Sequence, residues 1–361
     1  MSARVCFYTA DQNPERDRSR GITEYSSGLL RGLRDRGEFD LSVLASRSSY
    51  NGEAGIEKHL LPFRTDRTPG RLAADFLHPI WMPRAELVHY PKGFLPGLRP
   101  RRGVTCGTVH DTILQYYADH YPRSRSRLAF AYWLAVVRRS IPRFDVILTI
   151  SEFSAQAIRE FCARHRIACP PIRVTYLGCR WENSEAPALP KRDLVIHLGS
   201  REPHKGTTTL LRLWREVKRD DLKLIVVGSV DAESEREIVR TPGVEKSPFL
   251  SEPALQKLFS EARAVILPSE IEGFGLAALE GYAVGTPTVY VRGTTVEEVL
   301  GANAPGGFQL DEPESFRRAL ETVLDLGQEE IAAKRRELLS RLSWAECVRK
   351  TVAAYREFAP V

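Results

Sequence analysis

Apolar residues come in short unbroken runs, separated by longer stretches whose apolar positions fall three and four apart. The runs predict buried strands at Arg4–Thr9, Leu41–Ala45, Leu87–Tyr90, Asp145–Ile150 and Ile172–Leu177, with another opening at Val104. A second series follows at Leu194–Gly199, Leu222–Gly228, Ala264–Leu267 and Thr288–Val291. Helical spacing lies between them. Ile22, Tyr25, Leu29, Leu30 and Leu33 share one face, and further helices are expected at Thr207–Val217, Glu252–Glu261 and Leu276–Ala283. Ser343 caps a last one that runs to Phe358. Strands without polar alternation, each followed by a helix, belong to parallel sheets covered on both faces, an α/β class.

The chain's 361 residues suffice for two such domains. The proline-bearing segment Glu182–Pro190 reads as the linker between residues 1–185 and 186–343. Residues 51–83 read as loop-rich and irregular. The polar stretch Ala10–Arg20 reads as a loop, with Gly21 at a strand-to-helix turn. Leu128–Val137 is apolar and framed by Arg123, Arg125, Arg127, Arg138, Arg139 and Arg143. It is too short to span a bilayer. It reads as a buried helix with solvated ends, and the alternative is a membrane-touching face.

Hydrophobic content of 43% with 27% charged residues is that of a soluble globular protein. No run is long enough for a transmembrane segment, and the N-terminus does not read as a signal peptide. The six cysteines are scattered, which points to a reducing, cytoplasmic setting, and Cys162, His165 and Cys169 fit no common zinc spacing. The charge is uneven. Residues 1–185 hold 28 Lys+Arg against 19 Asp+Glu, and residues 186–361 hold 24 against 27. The first half therefore suits an anionic acceptor or the anionic inner face of a membrane. Nucleic acid is not indicated, since no basic run is interleaved with aromatics.

The chemistry concentrates in Ala264–Thr286: a strand, a loop with Glu270, Glu272, Gly273 and Gly275, then a helix stopped at Gly285-Thr-Pro287. A helix N-terminus favours phosphate, and the glycines let a ligand approach the backbone. Glu272 and Glu280 bracket this turn and can accept hydrogen bonds from sugar or ribose hydroxyls. Phosphate plus hydroxyls describes a nucleotide sugar. The string Glu272-Gly-Phe-Gly-Leu-x-x-Leu-Glu280 resembles the signature of the retaining GT-B glycosyltransferases of family four. Weaker likenesses accompany it at Gly21, at Val109-His-Asp111, at Thr149-Ile-Ser-Glu-Phe-Ser154 and at Lys205-Gly206.

The resemblance implies two doubly wound, Rossmann-like domains facing a cleft, with the last helix, 344–358, packed back on the first. It implies sugar transfer from a UDP-, GDP- or dTDP-sugar to a hydroxyl acceptor of polysaccharide, glycolipid or natural-product type. His110 would position the sugar, with Asp111 orienting the imidazole. Lys205 and Arg201 would stabilise the departing diphosphate, beside Ser200 and the turn Gly273-Phe274-Gly275-Leu276. Glu272 would hold sugar hydroxyls and Glu280 the ribose. Phe249 and Leu250 would lie against the base, though Phe249 equally suits the core. Gly21 would lie near the transfer site; Arg20 stands where a second glycine is common, and Arg201 is offset by one from the usual place. Lys92, just past a strand end, could meet an acceptor or simply be a solvated loop lysine. No Asp-x-Asp occurs, so no metal and no cofactor is expected. The alternatives are a nucleotide-sugar epimerase on the same fold and a non-catalytic sugar-nucleotide binder.

Overall fold

The computed structural model describes residues 2–13, 17–50, 52–184, 189–217 and 219–359, with only the backbone of 17–20. It divides into two compact units, Met1–Gly178 with Trp344–Val361, and Cys179–Ser343.

The first unit holds β1 (Ala3–Tyr8), β2 (Phe39–Ala45), β3 (Glu57–Leu60), β4 (Leu87–Tyr90), β5 (Val104–Thr108), β6 (Val146–Thr149) and β7 (Ile172–Val174). They form one sheet in the order β3-β2-β1-β4-β5-β6-β7, and every described pairing is parallel. β4 and β6 are buried at every position, which is why their sequences do not alternate. The last helix, Trp344–Phe358, belongs to this unit, and its Tyr355 hydroxyl bonds the fully buried His89 ring.

Three expectations fail here. Residues 51–83 are not irregular: β3 pairs with β2 from Ser42↔Glu57 to Ala45↔Leu60, and a helix spans Thr68–Leu77. β3 is an edge strand of Glu-Lys-His-Leu, mostly exposed, so it carries no apolar pattern to read. The helix Arg127–Ser140 is not buried along its length. Only its last turn, at Val136, Val137 and Ser140, is buried, while Leu128 is 83% exposed. Gly21 is not at a turn but inside the helix Asp17–Arg36, where a β-carbon would meet open space. The side chain of Arg20 lies outside the described residues.

The second unit holds β8 (Leu194–Leu198), β9 (Lys223–Val227), β10 (Val244–Ser247), β11 (Ala264–Leu267), β12 (Thr288–Val291) and β13 (Gly307–Phe308). Their order is β10-β9-β8-β11-β12-β13, again parallel. The division between units falls before the expected linker. Trp181 stacks edge-on against Phe259 at 5.2 Å, and Gln256 Nε2 donates to Ser184 Oγ at 2.7 Å, so residues 179–184 pack with the second unit. Residues 185–188, including Pro187, lie outside the described residues.

Each sheet reverses its winding once, between β1 and β4 in the first unit and between β8 and β11 in the second. Doubly wound sheets open a crevice at the carboxyl ends of the strands at that reversal.

Candidate active site

In the second unit the loops after β8 and β11 meet at this crevice. Gly206 ends the first loop at φ +68°, where a β-carbon would lie 2.2 Å from the Pro268 carbonyl oxygen. Glu270 N–H donates to the His204 carbonyl at 2.8 Å, tying the two loops together. Between them Lys205 Nζ donates to both oxygens of Glu272, at 2.7 and 2.8 Å. Burial pushes the Glu272 carboxyl up and is the largest single influence, but the Lys205 charge together with hydrogen bonds from Lys205 and Ser269 outweighs it, and the group lies below the ordinary value. Thr295 Oγ1 fixes the same residue by donating to its carbonyl at 2.6 Å.

Gly275, at φ +84°, caps the helix Leu276–Ala283 with its backbone alone. No side chain serves as N-cap and no acid lies in the helix's own first turn. The Phe274 ring is buried in the core, so only its backbone is available to a ligand. Glu280, buried in this helix, accepts from Arg180 Nε at 2.8 Å. Arg180 is absent from the sequence expectations. Its partner lies a hundred positions away, and nothing local marks it.

The remaining candidates vary. Ser200 Oγ accepts from Glu202 N–H at 3.1 Å and shapes the β8 loop. Arg201 is exposed, with no described ion pair, and does not join Lys205 and Glu272. Phe249 is 62% exposed, so it is not core, and its ring edge stands over Gly228 at the end of β9. Leu250 is half-buried beside it. His197 and His204 lie buried under this floor, both pushed down to about 4, chiefly by burial.

His110, in the first unit, stands beyond the end of β5. Its Nε2 lies 2.7 Å from the Pro91 carbonyl and so carries the proton, which leaves Nδ1 as an acceptor. Burial holds its pKa below the ordinary value, so the ring is neutral. Asp111 Oδ1 accepts from Ile113 N–H at 3.0 Å, its charge raises the imidazole pKa against burial, and the Pro91 carbonyl fixes the other side of the ring. Ser154 Oγ donates to the His110 carbonyl at 2.9 Å, giving the Ser151-capped helix a role in placing it.

Next to His110 lies Lys92, and the two share the lining of a small cavity. Lys92 Nζ stands 4.0 Å from Asp11 Oδ2, at the reversal between β1 and β4. The Asp11 side chain is 3% exposed, and among the described residues its Oδ1 has no hydrogen-bond partner, nor have both side-chain heteroatoms of Gln12 and the Thr9 hydroxyl. Asp11 is raised by burial, and Asp75 is raised to about 7 by burial and by the Asp11 charge. Sequence reasoning found Lys92 and missed Asp11, Gln12 and Asp75.

Two doubly wound parallel units, with basic and acidic side chains meeting at a winding reversal, define the α/β class called GT-B. The comparisons agree. A family model described as "Glycosyl transferases group 1" matches residues 180–338, most of the second unit, and supports a GT-B glycosyltransferase of that group. It is 26% identical over 292 residues to O-antigen chain mannosyltransferase B of Escherichia coli, covering 75% of this chain and 74% of that protein. It is 27% identical over 237 residues to a GDP-mannose-dependent α-(1-6)-phosphatidylinositol dimannoside mannosyltransferase of Mycobacterium tuberculosis, covering 62% of this chain and 60% of the relative. Sucrose-phosphate synthase of Thermosynechococcus elongatus superposes with a TM-score of 0.73 at 17% identity, over 98% of both chains.

Proposed function

We propose that the protein is a retaining hexosyltransferase of family four that moves mannose from GDP-mannose to a hydroxyl of a growing glycan or glycolipid. The observation that carries this is the Lys205–Glu272 pair at the β8/β11 reversal, beside an uncapped helix end. The sugar and the base are taken from relatives whose names specify mannose and GDP-mannose.

The pair suggests an exchange. A diphosphate entering the crevice would take Lys205 as its counter-ion, with the helix end at Gly275 and the exposed Arg201 adding positive field. Glu272, released from Lys205, would then accept from the sugar hydroxyls. Glu280, held in place by Arg180, would accept from the ribose. The sugar C1–phosphate oxygen bond breaks, and the acceptor oxygen bonds C1 on the same face. The acceptor proton passes to the departing phosphate oxygen. His110 Nδ1 would accept from a sugar hydroxyl, and a neutral ring suits that task. In the first unit Asp11 Oδ1 and the Gln12 amide, without partners among the described residues, would receive acceptor hydroxyls. Cations of the chain take the place a metal holds elsewhere, so turnover should survive EDTA.

Incubation with GDP-mannose, with and without a hydroxyl acceptor, tests the reading. GDP release that requires acceptor supports transfer. Conversion of the sugar nucleotide without acceptor marks an epimerase, and tight binding without turnover marks a binder; either outcome overturns the proposal.

A further inference from the structure

The first unit also carries a cavity at the opposite edge of its sheet from Lys92 and His110. Residues 79–85 lead into β4 and residues 98–102 lead into β5, so this cavity lies at the amino ends of strands whose carboxyl ends bear the crevice. Its volume is about 690 Å³, within the usual range for a ligand cleft. Arg84, Arg99, Arg101 and Arg102 line it.

Charge and apolar surface coincide here. Nearby carboxylates are already engaged: Asp145 by Arg99, and Glu86 by Arg4 at 2.8 Å. Arg84, Arg101 and Arg102 are exposed and have no described ion-pair partner. Between them, Ile80 is 63% and Leu98 55% exposed. The apolar rim continues onto the helix Thr68–Leu77, because Leu98 N–H donates to the Phe76 carbonyl at 3.2 Å and Phe76 and Leu77 are themselves exposed. Protruding aliphatic side chains beside guanidinium forks that lack carboxylates are complementary to an interface with phosphates above acyl chains. A soluble phosphate compound would engage the arginines and leave the apolar rim in water.

We propose that this face docks on a bilayer containing anionic phospholipid, with Ile80 and Leu98 entering the headgroup boundary and Arg84, Arg101 and Arg102 binding lipid phosphates. The proposal takes up one of the two expectations for the basic first half, the anionic membrane face. It moves the contact from Arg123, Arg125 and Arg127 to this cavity. It is independent of donor chemistry.

The test is co-sedimentation of the full chain with phosphatidylcholine vesicles, with and without phosphatidylglycerol. The parent should prefer the anionic vesicles. The variant Arg84→Gln/Arg101→Gln/Arg102→Gln should bind them on the order of a hundredfold more weakly. Ile80→Ser/Leu98→Ser should weaken binding by roughly tenfold, since burial of apolar side chains is lost. Both should keep the parent's melting temperature, which shows that they fold. A parent without preference for anionic vesicles would overturn the membrane reading as a whole. Should the parent bind while the rim variants match it and Arg123→Gln/Arg125→Gln/Arg127→Gln loses binding, the membrane reading stands and this face is the wrong one. Displacement of the parent from vesicles by dilute glycerol phosphate would show a soluble phosphate to be the true ligand.

Discussion

The two winding reversals of this chain each hold a lysine and a carboxylate, and they have opposite electrostatics. In the second unit Lys205 satisfies both oxygens of Glu272, and the carboxyl titrates below its ordinary value. In the first, Lys92 stands 4.0 Å from Asp11 Oδ2 and gives its hydrogen bond to the Asp11 main-chain oxygen at 3.4 Å. Among the described residues Asp11 Oδ1 has no hydrogen-bond partner, and burial raises the group. A buried, unmet polar atom costs about 1–3 kcal/mol. The second crevice is at rest without a ligand, and a charged ligand must displace an internal partner to enter. The first has acceptors waiting for donors, and hydroxyls meet that need without exchange. On this difference the second crevice suits a diphosphate sugar and the first a hydroxylated acceptor.

The largest effect should come from breaking the closed pair. Lys205→Ala should lower turnover on the order of a hundredfold, through loss of the cation facing the departing diphosphate. Glu272→Gln should keep the geometry and lose the acceptor oxygen for sugar hydroxyls, lowering kcat/KM by a similar factor. Steady-state kinetics on folded variants checks both. Unchanged rates for either would remove the pair from the chemistry.

Acid should separate the two crevices next. His197 and His204 titrate near 4 in the folded chain, below the ordinary 6.5. The unfolded chain therefore takes up protons first, and their contribution is lost as pH falls from 6.5 towards 4, by roughly 3 kcal/mol each. Asp75 runs the other way. Its folded pKa of about 7 lies above its ordinary 3.8, so its contribution is fully present below 3.8 and is lost as pH rises through 7. Urea midpoints measured from pH 7 to pH 4 should fall less steeply in His204→Gln than in the parent, and more steeply in Asp75→Asn. Parallel curves for all three would break the comparison.

Asp11→Asn should act in the opposite sense on stability and function. It removes a buried, poorly paired carboxylate, so the melting temperature should hold or rise. It also weakens the acceptor site, so the Michaelis constant for acceptor should climb by about tenfold while that for donor stays. A rise in the donor constant instead would place Asp11 with the other substrate.

The elements that were legible in the chain are strands buried on both faces and helices with a regular apolar spacing, among them Thr207–Val217 and Glu252–Glu261. Ala264–Leu267, Leu276–Ala283 and Thr288–Val291 have the bounds their sequence predicts, because an unbroken apolar run or a helical spacing is itself the signature of burial. Glu272 and Glu280 belong to a motif carried on those elements, and Lys205 to the shorter string Lys205-Gly206 after β8. Asp11 was not legible, since a polar residue in a polar loop is buried only by elements that converge from elsewhere. Arg180 and β3 were hidden for related reasons: one is defined by a partner far along the chain, the other by backbone pairing at an exposed edge.

The smallest expected effect distinguishes a surface residue from a core one. Phe249 is a large aromatic at 62% exposure, with its ring edge over Gly228, whose φ of +102° leaves no room for a side chain in ordinary geometry. An aromatic left in water at the rim of a crevice offers a face on which a nucleobase can stack, and stacking is worth roughly 1–3 kcal/mol when fully engaged. A ring at the crevice edge should realise the lower end, so Phe249→Ala should weaken donor affinity about fivefold. It should leave kcat and the melting temperature near the parent's, because little core packing is lost. Calorimetric titration of the variant with GDP and with GDP-mannose, alongside a melting curve, checks this. An unchanged Kd would remove Phe249 from base recognition, and a large fall in melting temperature would show that its exposed ring supports the fold after all.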